Sequence, residues 1–294
     1  MLQRSLQIVS PNAFRVMQWN ILAQGLTGLT ESNNSYSFPR CHKQFLQPER
    51  RKAQIKEEIL RHSPDVVCLQ ECDVYHDWLK DFMFDCGFNS YFSPKPHSPC
   101  VKIDDKAAPD GCAIFYRKSK FSEQAPAATL HFVDDNGRRY NQLAVSICLR
   151  HILTGKLIVF SCTHLRSKKP AVYERHQQAK QLVNHILSSS NDKQAVVVCG
   201  DFNGPPTEPF YGSVSEHFKS AYTTVDGVEP SFTTSKIRDN GETTHCIDYI
   251  FYRELNVRAI QQLPLLEEIG EDRLPSEFYP SDHLSLIAEF EINC

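Results

Sequence analysis

Short apolar runs with the alternation of strands recur along the chain, separated by stretches with helical spacing. Val16–Leu22, Val66–Glu71, Gly111–Arg117, Leu143–Leu149, Leu157–Leu165, Ala195–Gly200, Cys246–Tyr252 and His283–Glu291 combine β-branched, aromatic, Leu or Cys residues and read as strands. Pro48–Arg61, Tyr75–Asp85 and Val172–Leu187 read as helices; in the first, Ile55, Ile59 and Leu60 share a face among charged neighbours. This mixture predicts an α/β protein with layered sheets. The polar stretch Gly25–Gln47 predicts a long surface loop, and Asp134–Arg139, with its Asp-Asn-Gly, a hairpin turn; both are expected to lie away from the chemistry. With no solenoid-type repeat and no Gly, Ser or Pro-rich linker, one domain is expected.

At 294 residues, 41% hydrophobic and 23% charged, the chain has the length and balance of a globular protein with a substantial core. No run reaches the roughly 18 apolar residues of a membrane span, so no membrane partner is expected. Met1–Ser10 lacks an apolar block of signal-peptide length, which points to the cytoplasm; a mitochondrial location would need a longer precursor. The eleven cysteines are odd in number and scattered through apolar runs, as at Cys68, Cys112, Cys148, Cys162 and Cys199. They read as reduced core thiols, and no Cys-x-x-Cys or His-x-x-x-His spacing suggests zinc. A net charge of −3 argues against holding nucleic acid by bulk electrostatics, though not against a local basic pocket. A monomer is expected.

The informative feature is where the apolar runs stop. Asn20 follows Val16-Met17-Gln18-Trp19, Glu71 follows Val67-Cys68-Leu69-Gln70, His164 follows Phe160-Ser161-Cys162-Thr163, and Asp201 follows Val197-Val198-Cys199-Gly200. Each residue type is also an ordinary turn former. Four such endings in one chain point to a shared crevice, because ligands of open α/β sheets bind at the carboxyl ends of the strands.

Gly200-Asp201-Phe202-Asn203-Gly204 sets an acid and an amide two residues apart, so both side chains can face one site. The acid can take a proton from water or hold a metal, and the amide can donate to a phosphoryl oxygen. Ser281-Asp282-His283 brings a carboxylate and an imidazole to the entrance of the last strand. Asp248, flanked by Ile247 and Tyr249, is an acid among apolar neighbours and needs a partner; His283 is the expected one.

Taken in order, Trp19-Asn20, Leu69-Gln70-Glu71, Thr163-His164-Leu165, Gly200-Asp201-Phe202-Asn203, Ile247-Asp248-Tyr249 and Ser281-Asp282-His283 resemble the endonuclease/exonuclease/phosphatase superfamily, from about Phe14 to Phe290. The resemblance implies a four-layer α/β sandwich, two packed mixed β-sheets flanked by helices with the active site at the rim of the sheets. It also implies a tail over 1–13 and a catalytic domain over 14–294. Carried over by position, it makes Glu71 the principal Mg²⁺ ligand, with Asn20 beside it and Asp282 near the metal; Mn²⁺ would be a substitute. Asp201 would orient or deprotonate the attacking water, while Asn203, His164 and His283 would hold phosphoryl oxygens. Asp248 would fix His283, and Asp110 would support His164. Phosphoryl transfer needs this combination of charge neutralisation and an oriented nucleophile more than it needs covalent chemistry.

Met17–Gln24, Phe92–Pro96, Pro109–Ala113, Lys236–Arg238 and Arg273–Ser276 are similar to one branch of the superfamily. That likeness implies hydrolysis of the 2′-phosphate of NADP⁺ or NADPH. The broader relatives are 3′ to 5′ exoribonucleases that shorten poly(A) RNA. Lys95, Arg166, Lys168, Lys236 and Arg238 supply the compact basic set a phosphorylated dinucleotide requires, whereas a long polyanion calls for an extended groove with stacking aromatics. The branch carries Lys and Arg where this chain has Arg166 and Lys168, and Trp where it has Ser235, changes that bear on substrate preference. A protein that kept the fold for binding alone is a third reading, and the intact acids count against it.

Overall fold

The computed structural model describes residues 10–29, 37–103, 107–191 and 193–293. Among these residues fifteen strands run in chain order as β1 (Ala13–Asn20), β2 (Val66–Gln70), β3 (Phe88–Pro94), β4 (Gly111–Arg117), β5 (Phe121–Glu123), β6 (Ala128–Val133), β7 (Arg139–His151), β8 (Leu157–His164), β9 (Ala195–Asp201), β10 (Lys219–Ser220), β11 (Thr234–Arg238), β12 (Gly241–His245), β13 (Asp248–Arg253), β14 (Asn256–Ile260) and β15 (Leu286–Glu291). The helices are α1 (Pro48–His62), α2 (Lys80–Asp85), α3 (Cys100–Ile103), α4 (Val172–Ser189), α5 (Pro209–Ser215) and α6 (Ala221–Asp226). One sheet has the order β14-β15-β1-β2-β4-β3 and the other β10-β13-β9-β8-β7-β5, with β6 also on β7; β11 and β12 form a separate hairpin. Both large sheets are mixed: β1 runs parallel to β2 but antiparallel to β15, and β8 runs parallel to β9, which is antiparallel to β13. The four-layer expectation holds.

Strict two-residue alternation builds the layers. Phe14 and Val16 of β1, Val66 and Cys68 of β2, Phe160 and Cys162 of β8 and Val197 and Cys199 of β9 pack together between the sheets. Met17 and Trp19 face the other way, onto Ile55 and Ile59 of α1 and Met83 of α2. On the far side, Val196 and Val198 meet Ala179, Leu182 and Ile186 of α4 and Phe210 of α5. Continuing the inner row in steps of two leads to Gln18 and then Asn20 on β1, and to Gln70, His164 and Asp201 on β2, β8 and β9, so these polar residues belong to the inter-sheet face. That explains their burial.

Several expectations change. Gly25–Gln47 is no bare surface loop: Phe38, Cys41 and Leu46 are buried with Leu22, and two 3₁₀ turns lie at Gln24–Thr27 and Lys43–Leu46. Residues 30–36 of that stretch and 1–9 of the expected tail lie outside the described residues. The predicted helix Tyr75–Asp85 divides into a wide π turn, Tyr75–Leu79, and the short α2. The last strand starts at Leu286 rather than His283, because the backbone before it pairs with the β11 side: Leu284 N–H donates to Thr233 O at 2.7 Å and His283 bridges Thr234. Strands β3, β5, β6, β10, β11, β12 and β14 were not legible as apolar runs, since each is short or half-exposed. The hairpin turn at Asp134–Arg139 is present, with Asp134 Oδ1 accepting from the backbone N–H of Asn136 and Arg138. The ten described cysteines are free thiols. Among the described residues no helix is long and apolar enough to cross a membrane.

Candidate active site

Strand register assembles the site. Asp201 at the end of β9 lies opposite His164 at the end of β8 on one side and Asp248 at the start of β13 on the other. Asn20, at the end of β1 in the facing sheet, donates from Nδ2 to Asp201 Oδ2 at 3.0 Å. Ser281 Oγ donates to Asn20 O at 2.6 Å and Trp19 Nε1 to His283 O at 2.8 Å, so β1 also anchors the Ser281-Asp282-His283 turn. Asn20, His164, Asp201, Asp248, Asp282 and His283 thus meet in one buried cluster.

Asp201 stands between two imidazoles, with Nε2 of His164 at 3.6 Å and Nε2 of His283 at 3.9 Å from its Oδ2. The pKa values of the two rings are pushed in opposite directions. Burial lowers the His164 pKa well below its ordinary value, and the neighbouring charges of Lys95, His283 and Lys236 push the same way. Burial works against protonating His283 too, but Asp248, Asp201 and Asp282 outweigh it and raise the pKa to about 9. His283 Nδ1 donates to Asp248 Oδ2 at 2.9 Å, the pairing expected from sequence. Asp201 is pushed up, first by burial and then by the Asp248 charge, with Glu71 adding to it. Pairs of groups driven apart in this way supply acid and base roles near neutral pH.

Lys95 is buried and sits between Asp110, 2.6 Å from its Nζ, and His164, whose Nδ1 is 3.3 Å away. An ammonium only donates, so Nδ1 of His164 is the acceptor and the ring proton is on Nε2, facing Asp201. The expected support of His164 by Asp110 is therefore indirect, through Lys95. Ser98 Oγ holds the other Asp110 oxygen at 2.5 Å.

Glu71 and Asn203 both adopt left-handed backbone, each with φ of 54°. This conformation is costly for non-glycine residues and clusters at functional sites. It swings Glu71 out of the β2 row. Its Oε2 accepts from Ala23 N–H at 3.2 Å, and among the described residues it enters no ion pair. Asn203 N–H donates to Asp201 Oδ1 at 2.9 Å and its Nδ2 to Leu165 O at 3.1 Å.

The β11–β12 hairpin adds cations. Lys236 Nζ lies 2.5 Å and Arg238 Nη2 3.5 Å from Asp282 Oδ2. Burial opposes the Asp282 charge, yet Lys236, His283 and Arg238 together hold its carboxyl well below the usual range. Arg238 is stacked 3.7 Å over Phe38 and donates to Ser37 O at 3.3 Å, so the stretch expected to be peripheral borders the site. Among the described residues Arg166 and Lys168 form no ion pair with the cluster. Their carbonyls accept from Arg175 Nη1 at 3.1 and 2.8 Å, Lys168 is exposed, and the Arg166 charge acts on Tyr140. Arg175 itself is forked onto Glu208, which pins the β8–α4 connection.

Sequence reasoning missed Gln18, Gln70, Thr233 and Arg51. Thr233 Oγ1 donates to Asp248 Oδ2 at 2.6 Å, and Gln18 Nε2 to Asp248 Oδ1 at 3.2 Å. Arg51 of α1 is buried and donates to Ile21 O, Leu22 O, Pro280 O and Gln24 Oε1. Polar residues inside an apolar period were the available signal for the two glutamines.

Ligand atoms of Asp201, Asp248 and His283 lie within 4.8 Å of one another. Asp248 has committed both oxygens to Gln18, Thr233 and His283, so this trio is a carboxylate–imidazole–carboxylate chain. Glu71, which enters no ion pair among the described residues, could hold a hard divalent cation with the oxygens of Asn20 and Asp282, since such a cation prefers oxygen donors; Asp282 Oδ2 would then be shared with Lys236 and Arg238.

The sequence profile of the Endonuclease/Exonuclease/phosphatase family matches residues 17–283, spanning every element that builds this site. The chain belongs to the endonuclease/exonuclease/phosphatase family. Members of this family are phosphoesterases and nucleases that use divalent metals. The chain is 39% identical to nocturnin of Xenopus laevis over 96% of its own length and 74% of that protein. It is also 39% identical to nocturnin of Homo sapiens, over 94% of its length and 64% of the human chain. The solved human nocturnin catalytic domain with bound sulfate anion superposes with a TM-score of 0.79 at 34% identity, covering 96% of this chain and 94% of that one. Nocturnin-like members of the endonuclease/exonuclease/phosphatase family are thus the relatives it resembles in sequence and in fold.

Proposed function

We propose that this chain is a Mg²⁺-dependent phosphoesterase that hydrolyses the 2′-phosphate of NADP⁺ and NADPH to give NAD⁺ and NADH. The observation that carries the reading is the compactness of the basic set: Lys95 beside His164, and Lys236 and Arg238 on Asp282, next to His283. A small dianion suits such a cluster better than a long polyanion does. The human nocturnin catalytic domain is solved with a bound sulfate, a tetrahedral oxyanion.

In this reading Asp201 accepts the proton of an attacking water, a task its raised pKa favours. The water oxygen forms the new bond to phosphorus as the bond to the ribose 2′-oxygen breaks. His283, kept protonated by Asp248, and His164, through Nε2–H, donate to the phosphoryl oxygens, with Asn203 beside them. Lys95 and Lys236 offset the charge of the ester. Glu71, with Asn20 and Asp282, would hold Mg²⁺, which when bound supplies positive charge to the phosphoryl and leaving oxygens.

Purified protein with Mg²⁺ is offered NADP⁺ and oligo(A) in parallel, with Glu71→Ala as control. Phosphate release from NADP⁺ above the control supports the proposal; shortening of oligo(A) with NADP⁺ untouched replaces it with a 3′ to 5′ poly(A) exoribonuclease. If neither activity appears above the control, the enzymatic reading falls.

A further inference from the structure

The inner face of β1 and β2 carries two amides where the pattern calls for apolar side chains. Gln18 and Gln70 are fully buried, directly beyond Val16 and Cys68 in the inter-sheet row. An amide left unbonded there would give up its hydration with nothing in return. Every strong hydrogen-bonding group of the pair is engaged. Gln18 Nε2 donates to Gln70 Oε1 at 2.8 Å and Gln70 Nε2 returns a bond to Gln18 Oε1 at 2.7 Å. The second N–H of Gln18 reaches Asp248 Oδ1 at 3.2 Å, and that of Gln70 reaches Cys162 Sγ at 3.1 Å. The Cys162 thiol in turn donates to Leu69 O at 3.4 Å.

We infer that Gln18, locked by Gln70, is a positioning residue that sets the plane of the Asp248 carboxylate and through it the orientation of the His283 ring. The inference rests on the proposed phosphoesterase chemistry for its catalytic consequence. A carboxylate accepts only, so the Gln18 nitrogen must face Asp248, and its carbonyl must then face Gln70; reversing either amide sets oxygen against oxygen. Oδ1 of Asp248 is pinned by Gln18, and Oδ2 receives Thr233 and His283 at 2.6 and 2.9 Å. Two anchored oxygens fix the plane of a carboxylate, whereas one leaves it free to turn. The pair belongs to one sheet and Asp248 to the other, so the alignment of His283 depends on a bond made across the sandwich.

The test uses Gln18→Met, which keeps the volume and removes the donor, alone and combined with Asp248→Asn. The single change is expected to lower kcat about tenfold or more while KM moves less than about twofold. In the Asp248→Asn background it should add little, because the two residues act as one unit. A second readout does not need turnover: the His283 Nδ1–H proton resonance, identified by its loss in His283→Gln, should shift or broaden in Gln18→Met. Multiplicative effects on kcat, a loss of rate matched by loss of folded protein, or an unmoved resonance overturns the inference. If the wild type hydrolyses neither ester, the functional reading fails and the resonance still decides the positioning role.

Discussion

Lys95 Nζ donates to Nδ1 of His164 at 3.3 Å, tying a buried lysine to a ring that must stay neutral to accept the bond. Replacing the lysine should therefore alter the imidazole as much as the charge of the site. In Lys95→Met, the His164 pKa is expected to rise toward its ordinary value without reaching it, since burial is the larger cause of its depression. An NMR titration of the ring should show this, alongside a loss in kcat/KM of about tenfold or more. An unchanged titration would mean that the lysine does not set the state of the ring.

The alkaline side of the pH profile should belong to His283. Its folded pKa, about 9, lies above the ordinary 6.5, so its stabilising interaction is fully present below about 6.5 and is lost as pH rises through about 9. Activity and urea resistance should decline together over that window. Asp248→Asn, which removes the largest favourable charge, should move the decline to lower pH. A profile flat to pH 10 would sink the assignment.

If Glu71 holds Mg²⁺ as proposed, the ion should stabilise the folded chain, because the unfolded chain would not present the same site. A rise in Tm with increasing Mg²⁺ is expected for the wild type and should be absent in Glu71→Ala. An equal rise in the variant would move the metal away from Glu71.

Gly200 is fixed by space. A Cβ there would lie 2.6 Å from Thr163 Cγ2 and 2.7 Å from Thr163 O on the neighbouring strand. Gly200→Ala should cost about 1–3 kcal/mol in urea denaturation, because β8 and β9 must part to admit it.

Arg51 should matter for stability more than for substrate. Arg51→Met leaves the carbonyls of Ile21, Leu22 and Pro280 without their donor. A loss of about 3 kcal/mol or more is expected in chemical denaturation. A loss below about 1 kcal/mol would show that water replaces the guanidinium.

Much of this architecture was legible in the residues. Gly111–Arg117 runs as read, and α1 differs only at its last residue, because both are carried by a strong apolar period. The polar strand endings were visible as endings, and their convergence follows from register. What stayed hidden depends on tertiary pairing. The half-exposed β3 and β6 lack an apolar run, and the turn from Ser281 to Ser285 follows the β11 side instead of extending β15. Arg166 and Lys168 closely follow His164, but the hold of Arg175 on their carbonyls and its fork onto Glu208 join residues too far apart for a local pattern to show. Gln18 was readable as an anomaly, though its meaning lies in the opposite sheet, at a sequence separation that no local pattern spans.

The bond from Asn20 to Asp201 and the bond from Gln18 to Asp248 both run from one half of the sandwich to the other. Neither half holds a working centre alone. A molecule whose sheets have begun to separate could retain its helices and most of its strand pairing, yet Asn20 would already be parted from Asp201 and Gln18 from Asp248. Turnover is in this sense a gauge of sandwich closure, and on warming it should fail before far-ultraviolet circular dichroism reports any loss of secondary structure.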